Sequence, residues 1–275
     1  MIARAHITEW RAHAPWSTDA QVEHDLIISR AIVEVFSDPV LSAGLAFRGG
    51  TALHKLYLTP ATRYSEDIDL VQVEGGPIGD IMTALRQRLD PWLGSPRRRQ
   101  SEGRMTMVYR LDSEIPPVTP LRLKVEVNTR EHLSVLGFVQ KRFSIDSLWS
   151  RGSAELLTYK VEELLATKLR ALYQRSKGRD LYDLAAAVQR FPKLDLAKVA
   201  ECFERYLERE GHRVSRAEFE ESMAGKMLDP SFPRRHRTAA CRPCGLRSDR
   251  SLPRCPRRAH HAVAGRAMEG HRMTG

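Results

Sequence analysis

Two aspartates, Asp67 and Asp69, flank Ile68 in the stretch RYSEDIDL, residues 63–70. Side chains alternate between the two faces of a strand, so positions i and i+2 share one face. Two carboxylates that close repel each other and resist joint ionisation unless a positive charge lies between them. A hard divalent cation supplies that charge: Mg²⁺ takes one or two carboxylates together with waters and the phosphate oxygens of a substrate. A third acid on a neighbouring strand completes a two-metal arrangement suited to phosphoryl or nucleotidyl transfer. Glu126 is the candidate, on the polar side of the alternating run LRLKVEVN, residues 121–128.

Upstream, Gly49-Gly50 stand between the short apolar run GLAF and a segment, residues 51–57, that reads as the start of a helix. Glycines let the backbone approach a phosphate closely, and amides opening a helix point at it with the helix dipole behind them. The hydroxyls of Thr51 and Ser65 can add contacts. Each motif alone has a bland reading, a solvated strand face for the acids and an ordinary turn for the glycines. Their order and spacing together carry the chemistry.

The elements that must position these groups follow from periodicity. Val22, Leu26, Ile28, Ile32, Val35 and Phe36 mark one buried helical face, with Ser17, Thr18 or Asp19 to cap it and Pro39 to end it. DIDLVQV reads as a strand, residues 78–92 as a helix, and residues 104–111 and 121–128 as half-buried strands. VLGFVQKRFSI is a further strand candidate. Helical patterns follow over residues 158–175, 180–190, 195–210 and 215–228. Strands followed by consecutive helices predict an α/β (α+β) fold with a mixed sheet, an N-terminal domain over 1–150 and a helical domain over 151–232.

Residues 233–275 differ in kind. They hold eleven arginines against one aspartate and one glutamate, a net of +9 out of +10 for the chain, so the remainder is close to neutral. The segment has no periodicity that would bury a face and reads as a disordered basic tail, best explained as a frameshifted C-terminus. Cys241, Cys244 and Cys255 with His260 or His261 offer a zinc reading that lacks hydrophobic support. Cys202 alone lies in the body, which fits a reducing compartment. No apolar run is long enough to span a membrane and the N-terminus lacks a secretory pattern, so a cytoplasmic location is expected.

Lys168 falls near the middle of the apolar arc formed by Val161, Leu164, Leu165, Leu169, Ala171 and Leu172. A lysine there must snorkel or meet an acid or a phosphate. Asp183 points away from Leu181, Leu184, Ala185 and Val188, and either reaches a cleft or pairs with Arg179. Arg48, His54, Lys55 and Arg63 bracket the acidic motif, and Arg97-Arg98-Arg99 follow Pro96. These are candidate contacts to RNA phosphates, with a solvated loop as the alternative for the triple arginine. Tyr159 and Tyr173 read as packing residues.

FRGGTALHKLY followed by RYSEDIDL, and later YKVEELLATKLRALYQRSKGRDLYDL, resembles the AbiEii toxin family, nucleotidyltransferase-like toxins of bacterial toxin–antitoxin and phage-abortive systems that include MenT-type toxins. The resemblance runs from about residue 20 to 232. It implies a DNA polymerase β-like nucleotidyltransferase domain followed by a helical domain. Ser65, Asp67 and Asp69 match the family's serine-x-aspartate-x-aspartate motif, and the resemblance implies that the aspartates are metal ligands. Lys168 matches the lysine that supports the nucleotide, Asp183 matches an acidic position of the RDLYDL motif, and Glu126 is a weaker match for the third acid. Arg48 stands where the family has Lys or Arg before the double glycine. The implied activity is Mg²⁺-dependent transfer of a nucleoside monophosphate from an NTP to an acceptor, a tRNA 3′ end in some members, with a cognate antitoxin as partner. Three alternatives stand beside it: transfer to a protein side chain, a non-catalytic nucleotide- or RNA-binding module, and a degenerate toxin.

Overall fold

The computed structural model describes residues 2–175, 177–229 and 232. It divides into two compact units that part between Tyr159 and Lys160.

The first unit opens with helices α1 (Arg4–Trp10), α2 (Asp19–Phe36) and α3 (Pro39–Gly44). Thr18 begins α2 with a reciprocal capping box to Gln21, which satisfies two otherwise unpaired amides. Pro39 does more than end α2. It opens α3 in the first turn, where its missing N–H costs nothing, and Asp38 caps the amides of Val40 and Leu41. Then come β1 (Leu45–Arg48), α4 (Gly49–Leu56), β2 (Asp67–Gln72), α5 (Gly79–Leu93), β3 (Arg97–Ser101), β4 (Arg104–Asp112), β5 (Pro120–Asn128), β6 (Phe138–Asp146) and β7 (Arg151–Tyr159). The seven strands form one mixed sheet in the order β3-β4-β5-β2-β1-β7-β6. β2 and β5 are parallel, whereas β1 runs antiparallel to β2 and β4 antiparallel to β5.

One face of the sheet supplies the core. Phe47, Ile68, Leu70, Leu123, Val125 and Val127 are buried there with α2, whose Val22, Leu26, Ile28, Ile32 and Val35 are fully buried. Gln72 joins this buried side, its amide donating to the Gly76 carbonyl at 3.1 Å. Two strands were not expected. β7 covers residues without an assignment and the first two of the expected helix 158–175, pairing with β6 along its whole length from Phe138↔Tyr159 to Asp146↔Arg151. β3 takes up the triple arginine, for which a solvated loop was one of two readings, and pairs it with β4. The turn between them uses Gly103 in the left-handed region, at φ 70°.

The second unit holds α6 (Val161–Gln174), α7 (Gly178–Arg190), α8 (Leu196–Arg209) and α9 (Arg216–Leu228). Its core includes Leu164, Leu165, Leu169, Leu172, Cys202, Phe203 and Tyr206. Tyr206 donates to Glu163 at 2.8 Å, and Tyr173 stacks on Phe219 with ring centroids 5.9 Å apart. The packing roles expected of Tyr159 and Tyr173 hold, Tyr159 lying edge-on to Phe138. Among the described residues, no helix is long and apolar enough to cross a membrane. The readings of disorder, zinc binding and a replaced C-terminus concern residues 233–275 and lie outside the described residues.

Candidate active site

The period of β2 puts Asp67 and Asp69 on the sheet face opposite the core, flanking the buried Ile68. Its register with β5 sets Asp67 beside Lys124 and Asp69 beside Glu126. Glu126 is thus brought to the acidic pair. All three carboxylates are partly buried. Lys124, on the same face two residues before Glu126, places its Nζ 3.3 Å from Asp67 Oδ2 and 3.4 Å from Glu126 Oε2. Arg104 Nε lies 3.2 Å from Glu126 Oε1.

The electrostatics are those of crowded negative charge. Burial first, then Asp67, push the Asp69 carboxyl above the usual range, with Glu126 adding to the effect and Lys124 and Arg48 opposing it. Burial works against the Lys124 ammonium, but Asp67, Glu126 and Asp69 outweigh it and raise its pKa. Nearby, His24 is pulled down to about 4 by burial, so it is neutral at ordinary pH.

The double glycine meets the acids directly. β1 pairs Arg48 with Asp69, and α4 starts at the next residue. Gly49 is left-handed, at φ 81°. A Cβ there would fall 2.2 Å from Asp69 Oδ2, so only glycine lets the helix start so close to the carboxylate. Gly50 and Thr51 are buried in the first turn. The Thr51 hydroxyl bonds the main-chain carbonyl of Asp67 and lies 2.9 Å from Ser65 Oγ. Ser65 and Thr51 therefore brace the entrance to β2.

An all-oxygen set of three carboxylates on one face, beside open amides at a helix start, fits a hard divalent cation and the polyphosphate it would bring. Among the described residues, no three His, Cys, Asp or Glu side chains are gathered tightly enough to ligate an ion as they stand. Lys124 provides the positive charge between Asp67 and Glu126.

In the second unit, Lys168 reaches from α6 to α7, with Nζ 3.2 Å from Asp180 Oδ1 and 3.0 Å from Asp183 Oδ2. Both aspartates are fully buried. Arg175 Nε lies 3.0 Å from the other oxygen of Asp180. The expected outward orientation of Asp183 is wrong: it turns inward because the lysine inside the apolar arc needs an acid. Of the basic residues expected to meet RNA, several are engaged within their own unit. Arg48 pairs with Glu131, Arg63 is buried and donates to the Tyr64 carbonyl at 2.9 Å, and Lys55 lies 2.7 Å from Asp25. His54 is buried too.

Sequence reasoning missed Lys124, Asp180 and Glu131 as partners. The signal for Lys124 was present, since period two places it on the face of Glu126. Glu131 lies in an irregular segment after β5 and offered none.

The family model of the nucleotidyl transferase AbiEii toxin, Type IV toxin–antitoxin system, matches residues 30–246. No curated protein matches the chain. Among solved structures, MenT4, a nucleotidyltransferase toxin of Mycobacterium tuberculosis H37Rv, is similar at 16% identity with a TM-score of 0.53, covering 98% of this chain and 99% of that one. JHP933 of Helicobacter pylori is also 16% identical, with a TM-score of 0.47, covering 79% of this chain and 84% of that one. The likeness to MenT4 shows the nucleotidyltransferase fold.

Proposed function

We infer the reaction from a membership: the chain belongs to the AbiEii family of nucleotidyl transferase toxins of Type IV toxin–antitoxin systems, and is a nucleotidyltransferase. We propose that the acidic face of β2 and β5 is its active centre, and that it moves a nucleoside monophosphate from an NTP to the 3′ end of a tRNA, releasing pyrophosphate. The observation that carries this is the register of Asp69 with Glu126, two residues from Asp67 and against Gly49 at the start of α4.

In this reading Asp67, Asp69 and Glu126 would hold Mg²⁺, which supplies charge neutralisation for the attacking and leaving oxygens. The amides of Gly49, Gly50 and Thr51 would bind phosphate oxygens of the NTP, with the α4 dipole in support. Arg48, held by Glu131, and the hydroxyls of Ser65 and Thr51 would fix the approach of β1 and β2 to the nucleotide. Lys168 is proposed to balance phosphate charge. Glu126 would accept the proton of the acceptor hydroxyl as a general base; Asp183, the other candidate, is fully buried against Lys168. The partner that restrains the toxin would be a cognate antitoxin, and the protein would act in the cytoplasm.

The test is incubation of the purified chain with each α-labelled NTP, Mg²⁺, total RNA and total protein. Label in RNA that is lost with Asp67→Asn supports the assignment. Label confined to protein rejects the RNA acceptor, and no label from any NTP rejects the transfer.

A further inference from the structure

The strand register carries the face of the acidic centre outward to the edge of the sheet. Asp69 lies in one row with Glu126, Thr106 and Arg99, and Asp67 in the next with Lys124, Val108 and Arg97. A third row places Arg110 directly opposite Arg122. Residues in register share a face, so Arg97, Arg99, Arg110 and Arg122 all stand on the side of the carboxylates. Arg98 stands on the other. The four arginines are exposed. Among the described residues none of them makes an ion pair, whereas Arg104 on the same face is committed to Glu126. The acid at the far end of this face, Asp112, pairs with none of them.

Two features ask for an external anion. Charges on β3 alone would serve to blunt an edge strand against pairing with another chain. Arg110 and Arg122 face each other where β4 and β5 run on past β3 and β2, so edge protection alone would need only one charge there, not two directly opposed. Like charges directly opposite on neighbouring strands also destabilise a sheet, so this pair works against the fold unless something negative lies across it. The track starts at the acids and reaches Arg99 three strand spacings away, roughly 14 Å. A small ligand would not need that reach. A chain of phosphates leading into the centre would.

We propose that the open face of β3, β4 and β5 is the docking surface for the RNA acceptor, with Arg97, Arg99, Arg110 and Arg122 holding its phosphate backbone while its end enters the acidic centre. This rests on the transfer reading above and adds where the acceptor lies. Phosphate contacts of this kind position a strand without reading its sequence.

The test is binding of fluorescent transfer RNA to the full chain over a range of salt, with wild type, the quadruple variant R97E/R99E/R110E/R122E, and R98E as the opposite-face control. The arginines of residues 233–275 are common to all three and cancel in the comparison. We expect the quadruple variant to lose at least about tenfold in affinity at low salt, and its salt dependence to shallow by about 0.7 in log–log slope for each phosphate that is no longer neutralised. R98E should match wild type. R122Q should raise the melting temperature by relieving the pair with Arg110 while weakening RNA binding, a combination that a structural role would not produce. Unchanged affinity and slope in the quadruple variant, or an equal loss in R98E, would overturn the proposal. Thermal shift with NTP and Mg²⁺ reads the underlying assignment separately: its absence in wild type sinks the nucleotidyl-transfer centre, whereas an intact shift beside unchanged RNA binding sinks this surface alone.

Discussion

Gly49 lies so close to Asp69 that a methyl group on its α-carbon would sit 2.2 Å from the carboxylate oxygen Oδ2. The same residue holds a left-handed backbone, at φ 81°. Gly49→Ala therefore meets two obstacles, a strained conformation costing about 1–3 kcal/mol and an overlap that moves Asp69. Chemical denaturation should show the loss of stability, and the transfer assay a fall of at least about tenfold, the rate equivalent of 1.4 kcal/mol. An alanine variant as stable and active as wild type would mean that this approach is not as described.

Asp69 also sets a stability–pH relation. Burial, and then Asp67, raise its folded-state pKa. A carboxyl shifted in that direction contributes stability that is full below its unfolded pKa and is lost as pH rises through the folded value. At neutral pH the ionised side chain opposes folding. Asp69→Asn should melt higher than wild type at neutral pH without metal, the gap closing in acid, while transfer is lost. A lower melting temperature at neutral pH would contradict the account.

Lys124 is the internal cation of the centre, 3.3 Å from Asp67 and 3.4 Å from Glu126. Lys124→Met leaves the carboxylates facing one another. Its melting temperature in EDTA should fall below that of wild type, and Mg²⁺ should restore more of it than it adds to wild type, because an ion then replaces the ammonium. Equal gains from Mg²⁺ in both proteins would separate Lys124 from the proposed metal site.

In the helical unit, Lys168 bridges two fully buried aspartates. Removing one partner of such a network leaves uncompensated buried charge, at about 3–5 kcal/mol. Urea denaturation of Lys168→Met should show a loss of that order, and Asp183→Asn, which keeps the shape and Asp180, a smaller one. A Lys168→Met variant that unfolds like wild type would place the lysine in water.

The outcome at Lys168 illustrates what could be read from the chain alone. Its place inside an apolar arc demanded an acid or a phosphate, and the helix periodicity that showed this also located α6 to α9 to within a few residues. The choice of acid was not legible, because Asp180 opens α7 and reads as an ordinary first-turn residue. The acidic face was legible for a related reason: β5 alternates cleanly and β2 does so over its first four residues, so the faces of Asp67, Asp69 and Glu126 follow from period two. Their mutual register is a long-range pairing that no local pattern encodes. β3 escaped notice since Arg-Arg-Arg-Gln-Ser has no apolar residue to display a period. β7 was hidden because its Ala154, Leu156 and Thr158 run straight into the strong helical pattern of α6.

In the proposed mechanism Asp67, Asp69 and Glu126 hold one divalent ion together. Titration of Mn²⁺ into the chain with a non-hydrolysable NTP, followed by the loss of the free-ion magnetic resonance signal, tests it most directly. Saturable binding is expected in wild type, weakened by at least about tenfold, or 1.4 kcal/mol, in each of Asp67→Asn, Asp69→Asn and Glu126→Gln. Wild-type affinity in all three variants would contradict it.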